Sequence, residues 1–172
     1  MFKIAGLILM ILSGAGIGFS RSRELVQQEK NLELFYRMVL LLKGEIRYGN
    51  ASLHDAFTGA AAKLPGAYRA FLEAAAAEIA KKQTGSLEDI FSLCAEHYLK
   101  NTGLKKEELE RMNTLGRYLG YLDLEMQLKQ LELLCEELEQ ERIRLRESLP
   151  EKKKLYNSLG ILLGILLAVV VW

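Results

Sequence analysis

Residues 122–149 read LDLEMQLKQLELLCEELEQERIRLRESL, and their spacing decides the fold. Leu124, Leu128, Leu131, Cys135, Leu138, Arg142, Leu145 and Leu149 alternate steps of four and three. That is a heptad seam on one helix face, with Arg142 as its one charged intruder. A seam of this length must be buried against something. Residues 22–48 offer the match, because Leu25, Leu32, Phe35, Val39, Leu42 and Ile46 recur at sevens, threes and fours in a single apolar stripe. Two long antiparallel helices are the frame this predicts. A self-paired coiled coil through 122–149 is the alternative use of the same seam.

Between these two helices the chain is punctuated into shorter ones. Ser52 with Asp55, and Ser86 with Asp89, have the capping-box spacing that opens a helix. Tyr48-Gly49-Asn50, Pro65-Gly66, Gln83-Thr84-Gly85 and Asn101-Thr102-Gly103 are the expected breaks. The helices so delimited place Leu53, Ala56, Phe57 and Ala60 inward, then the alanines 74–77 of a helix over 67–82. Next come Ile90, Phe91, Cys94 and Tyr98, and last Leu109, Met112, Leu115 and Leu119 of a helix over 105–119. Gly116 and Gly120 weaken the end of that last helix, and Pro150 is expected to interrupt the long one. No β-branched alternation occurs before the terminal valines, so a sheet is not expected. The fold class is all-α, a six-helix bundle.

Both ends are apolar. Residues 1–19, MFKIAGLILMILSGAGIGF, carry one charge, Lys3, and residues 155–172, LYNSLGILLGILLAVVVW, carry none. A stretch of about 18 apolar residues is long enough to cross a hydrocarbon core of roughly 30 Å. The expected organisation is an N-terminal transmembrane helix at 1–20, a soluble helical domain at 21–154 and a C-terminal transmembrane helix at 155–172. The first segment lacks a clean small-residue cleavage site, so an uncleaved anchor is expected in place of a signal peptide. Arg21 and Arg23 at one flank and Lys152, Lys153 and Lys154 at the other put the domain in the cytoplasm. Gly14 and Gly18, and Gly160, Gly164 and Ala168, each fall four apart and are candidates for close packing of membrane helices.

The net charge of +1 and the absence of a basic stripe argue against nucleic acid as partner. Cys94 and Cys135 give no disulfide framework, and Cys94 with His97 lacks the second half of a zinc site. No phosphate loop occurs, and no nucleophile is spaced to be oriented by His54 and Asp55. No catalytic, cofactor-binding or metal-binding residue is therefore assigned, no small-molecule substrate is expected, and the chain is expected not to be an enzyme. The candidate partner-binding residues are Glu45 and Arg47 at the end of the first long helix, and Glu132, Glu136 and Glu139. These last three lie, with Glu137 and Glu141, in an acidic run ahead of Arg142, Arg144 and Arg146. The blander reading is ordinary solvated charge plus a cap for Glu45 and Arg47, and a solvated face with pairs four residues apart for the acidic run. Tyr118, Tyr121 and Asp123 flank Gly120 and shape a turn.

The segments LLKGEIRYGNASLHDAF (41–57) and LGRYLGYLDLEMQLKQLELLCEELE (115–139) resemble the helical domain of platform proteins from type II secretion and type IV pilus systems. With both apolar ends and the total length, the whole chain resembles the stage III sporulation AB family of spore-forming bacteria. That resemblance implies a bundle of secretion-platform type with no catalytic activity. It implies a place in the mother-cell membrane facing the forespore, within a channel apparatus that joins the two cells. The implied partners are the membrane, a secretion-type ATPase and the other stage III channel proteins. The function expected is a membrane-anchored platform or adaptor; the alternative is a structural scaffold that dimerises through 122–149.

Overall fold

A computed structural model describes residues 2–48, 52–81 and 85–171, with side chains at 13–14, 16–48, 52–81, 85–166 and 169. Among the described residues the chain is all-helical. It forms α1 (Phe2–Tyr48), α2 (Leu53–Ala62), α3 (Gly66–Ala80), α4 (Leu87–Tyr98), α5 (Lys106–Tyr121) and α6 (Leu124–Val171), with a 3-10 turn at Lys100–Thr102. The residues group into two compact units, Lys30–Arg142 and Met1–Glu29 with Ile143–Trp172.

The central unit, Lys30–Arg142, is built around aromatic rings. Phe91 of α4 takes Phe57 of α2 and Phe71 of α3 edge-on, at 5.4 and 5.2 Å between centroids. Leu32, Phe35, Met38, Val39 and Leu42 of α1 are fully buried, as are Met112, Leu115 and Leu119 of α5. Each such side chain contributes about 1.5–3 kcal/mol by leaving water. Leu131, Cys135 and Leu138 bury the middle of the α6 seam, so here the seam is consumed within the chain. Lys43 of α1 pairs with Glu132 of α6, and Glu33 of α1 pairs with Arg142 of α6. Rising numbers on one helix thus meet falling numbers on the other, and the two long helices are antiparallel in this unit.

Caps form where the side chains favour them. Ser86 and Asp89 make a reciprocal capping box on α4, each accepting from the other's backbone N–H at 3.1 Å. The Ser52 hydroxyl accepts from the Asp55 N–H at 3.3 Å to open α2. Asp123 opens α6 by accepting from the Met126 N–H at 2.9 Å. The expected turns at Tyr48-Gly49-Asn50 and Gln83-Thr84-Gly85 lie largely outside the described residues.

Four expectations are corrected. Pro150 lies inside α6 and does not end it. Its position is solvent-exposed, where water can take the Arg146 carbonyl that loses its helical donor. Tyr98 is exposed, because Leu99 continues the inward step of four from Phe91 and Ala95. Leu124 is 57% exposed. With Lys43 opposite Glu132, Tyr48 at the end of α1 falls opposite position 127, so α1 ends before it reaches Leu124. α5 does not end at Leu119 but runs through Gly116 and Gly120 to Tyr121. A Cβ on Gly116 would stand 2.8 Å from Phe91 Cβ and 2.9 Å from the Leu87 carbonyl oxygen, so the bare glycine is what lets α4 and α5 approach.

The terminal unit brings residues 13–29 and 143–166 together on glycine. A Cβ on Gly14 would lie 2.6 Å from the Gly160 carbonyl oxygen and 2.8 Å from Gly164 Cα. A Cβ on Gly18 would lie 2.5 Å from the Tyr156 carbonyl oxygen and 3.2 Å from Gly160 Cα. The pairing is antiparallel here too. Among the described residues no helix is long and apolar enough to cross a membrane. The expected spans at 1–20 and 155–172 owe much of their apolarity to residues 1–12 and 167–172, and all of those side chains except that of Val169 lie outside the described ones.

Candidate functional site

The end of α1 and the first half of α6 hold the charged candidates. Glu45 is half-buried, pairs with Lys63 beyond α2, and lies under Gly59, where a Cβ would meet its carboxylate at 2.9 Å. It ties α1 to α2. Arg47 is exposed, and its guanidinium sits 5.7 Å from the Tyr48 ring centroid. Glu132 pairs with Lys43 at 2.7 Å and feels the Arg47 charge; the Lys43 ammonium first, then Arg47, holds its carboxyl below the usual range. Lys43, Arg47 and Glu132 are thus neighbours, and Glu45 turns to a different helix.

Further along α6, Glu139 lies 3.9 Å from Arg142 and Glu136 is exposed. Arg142, the seam intruder, finds partners across the bundle through its terminal nitrogens, while its buried Nε has no hydrogen-bond partner. It donates to Glu33 and lies 5.0 Å from the Tyr36 ring centroid. Arg111 of α5 pairs with Glu141 at 2.6 Å. Glu132 and Glu141 of the acidic run therefore engage cations of α1 and α5, while Glu139 pairs three residues along its own helix.

The candidate glycines Gly14, Gly18, Gly160 and Gly164 pack on one another in the terminal unit. The Ala168 side chain lies outside the described residues. Cys94 and Cys135 are buried and free. Burial pushes the Cys135 thiol up to about 11, so it is protonated and unreactive at neutral pH. No group of three metal-ligating side chains occurs among the described residues.

Two polar features escaped the sequence reading. Buried Asn31 donates its side-chain amide to the Thr102 carbonyl at 2.6 Å, while its own carbonyl accepts the Tyr68 hydroxyl at 3.0 Å. Buried Glu108 accepts the Lys105 N–H at 2.6 Å at the start of α5, and burial raises its carboxyl pKa. The alternation of charge around position 108 is ordinary for a surface helix, so nothing in the pattern marks that residue as internal.

A cleft of about 580 Å³ runs along α3 and α4, lined by Ala74, Glu78, Asp89, Ile90, Leu93, Cys94, His97 and Tyr98. A second, of about 420 Å³, shares Glu78 and Ile90 and reaches Tyr121. Leu93 and Tyr121 are 69% and 73% exposed beside them, which is apolar surface with no internal role. α4 carries Glu88, Asp89 and Glu96 and neither lysine nor arginine; Lys100 pairs with Glu96 and Lys81 with Glu78, so the apolar strip keeps a border that is acidic on balance.

These features define an all-helical protein with a charge-covered bundle and a glycine-packed pair of terminal helices. The chain belongs to the stage III sporulation protein AB family, whose model matches residues 3–172. It is 24% identical over 167 residues to stage III sporulation protein AB of Bacillus subtilis (strain 168), an alignment covering 97% of each chain. No solved structure matches the chain. Membership in this family assigns the chain to sporulation.

Proposed function

We propose that the protein is a non-catalytic, membrane-anchored adaptor of the stage III channel apparatus, linking a secretion-type ATPase on the cytoplasmic side of the mother-cell membrane to the channel proteins. One observation supports this reading above the others, the division of exposed surface between the units. In the terminal unit Ile17, Leu159, Ile161, Leu162, Leu163 and Leu166 all face outward around the glycine seam. In the central unit residues of that kind are mostly internal and the outside is charged. An outward apolar face on a glycine-packed pair suits lipid; a charged bundle suits water.

The adaptor contact belongs at the α3–α4 cleft. Its occupant is a partner helix with an apolar face and a basic flank, matching Leu93, Ile90 and Tyr98 within the acidic border of α4. The scaffold alternative loses its interface, because Leu131, Cys135 and Leu138 are already buried within the bundle. The test is binding of the purified secretion-type ATPase to the full chain reconstituted in vesicles. Leu93→Asp abolishes binding if the cleft is the contact, while Glu136→Lys leaves it intact. Binding unaffected by Leu93→Asp would move the contact elsewhere, and no binding by the native chain would remove the ATPase as partner.

A further inference from the structure

We propose that the terminal unit holds a binding site for the phosphate of an anionic phospholipid, formed by Arg23 of α1 and Lys153 of α6. The inference rests on the membrane reading above. A cleft of about 410 Å³ is lined by Phe19, Ser22, Arg23, Val26, Gln27 and Lys153. It holds two cations and no carboxylate. Five basic residues flank the apolar ends, but they are not equivalent. Arg21 is engaged by Glu24 at 2.8 Å. Among the described residues neither Arg23 nor Lys153 has a carboxylate within ion-pair distance. Arg23 is instead held over the Phe19 ring, 4.5 Å from its centroid, where a guanidinium gains a cation–π contact.

The position on the chain selects a lipid as the source of the phosphate. The apolar run of α1 ends at Phe19 and that of α6 begins at Leu155, so both cations stand within about one helical turn of the apolar boundary. There the long side chains of Arg and Lys reach the headgroup plane. Phe19 offers an apolar wall on the acyl side of the cleft, and Ser22 and Gln27 give it polar character on the other. A bidentate guanidinium, an ammonium and an aromatic wall at that depth form the kind of basic pocket between membrane helices that takes an anionic headgroup.

The experiment places the full chain in phosphatidylcholine vesicles and measures the relative association of spin-labelled phosphatidylglycerol over spin-labelled phosphatidylcholine. The native chain prefers phosphatidylglycerol. Arg23→Gln and Lys153→Gln each lower the preference about fivefold. The pair Lys152→Gln with Lys154→Gln removes the same charge as Arg23→Gln combined with Lys153→Gln but lies outside the cleft, and leaves the preference largely intact. Equal losses from both pairs would mean a diffuse field and overturn the site. Displacement of the labelled lipid by inorganic phosphate would make it a soluble-anion site and overturn the lipid assignment. A chain that fails to enter pure phosphatidylcholine vesicles at all removes the membrane reading itself, a result distinct from embedding without preference.

Discussion

Single residues in this protein are decided by space and solvation more than by type. Gly44 and Gly116 are both helical glycines, yet a Cβ at Gly44 meets nothing within 4 Å while one at Gly116 collides with Phe91 and the Leu87 carbonyl. Gly44→Ala is therefore expected to stabilise by roughly 0.5–1 kcal/mol, and Gly116→Ala to destabilise by about 1–3 kcal/mol. Guanidinium denaturation of the two variants checks the opposite signs. Glu108 gives a pH test. Burial raises its carboxyl above the ordinary value, opposed by the Lys105 N–H and ammonium. A carboxyl raised in the folded state adds stability that is complete below the unfolded pKa, about 4.3, and is lost as pH rises through the folded value. Relative to Glu108→Gln, the native chain should thus lose stability as pH rises above the ordinary glutamate pKa of about 4.3. A gap between the two that stays constant with pH would show that Glu108 ionises in the fold as freely as in the unfolded chain.

At the scale of elements, caps separate two otherwise similar helix starts. The box on α4 is reciprocal, whereas on α2 the Ser52 hydroxyl accepts from the Asp55 N–H at a longer distance. Ser86→Ala is expected to cost about 1 kcal/mol and Ser52→Ala less, an order that thermal denaturation reads directly. Both starts were legible from Ser-x-x-Asp, and the α1 stripe from Leu32 to Ile46 was legible from its period, because both signals are local. What was not legible is what depends on distant chain. Tyr98 and Leu99 compete for one inward place, and only the position of the neighbouring helices awards it to Leu99. Leu124 continues the heptad, but its neighbour α1 has already ended. Pro150 is a helix breaker by propensity, and an exposed carbonyl is enough to let α6 continue through it. The candidate charges were legible as residues and not as pairs. Lys43 and Glu132 are 89 positions apart, and Glu33 and Arg142 are 109 apart, beyond any spacing rule. Asn31 shows the same limit. An exposed asparagine and one that holds a loop carbonyl look alike in sequence, and Asn31→Ala should cost about 1–3 kcal/mol by leaving the Thr102 carbonyl without that donor.

For the molecule as a whole, the grouping of residues into two units makes a separable prediction. The units share the helices α1 and α6 but not their packing chemistry. The central unit is held by large apolar and aromatic side chains, and the terminal unit by backbone-to-backbone approach at Gly14, Gly18, Gly160 and Gly164. An added side chain in the glycine seam cannot be absorbed by rotamer adjustment, since the atoms it meets are backbone. Gly160→Ile should therefore part the two segments of the terminal unit. The ring cluster of Phe57, Phe71 and Phe91 makes no use of that seam. Hydrogen exchange on the reconstituted full chain reads both units at once. In Gly160→Ile, amides of residues 13–23 and 156–166 should lose protection, while those around Phe35, Phe57, Phe91 and Leu115 keep native protection. Loss of protection in the bundle as well would mean that the seam supports the central unit. An unchanged terminal unit would mean that the glycines are tolerated there and not required.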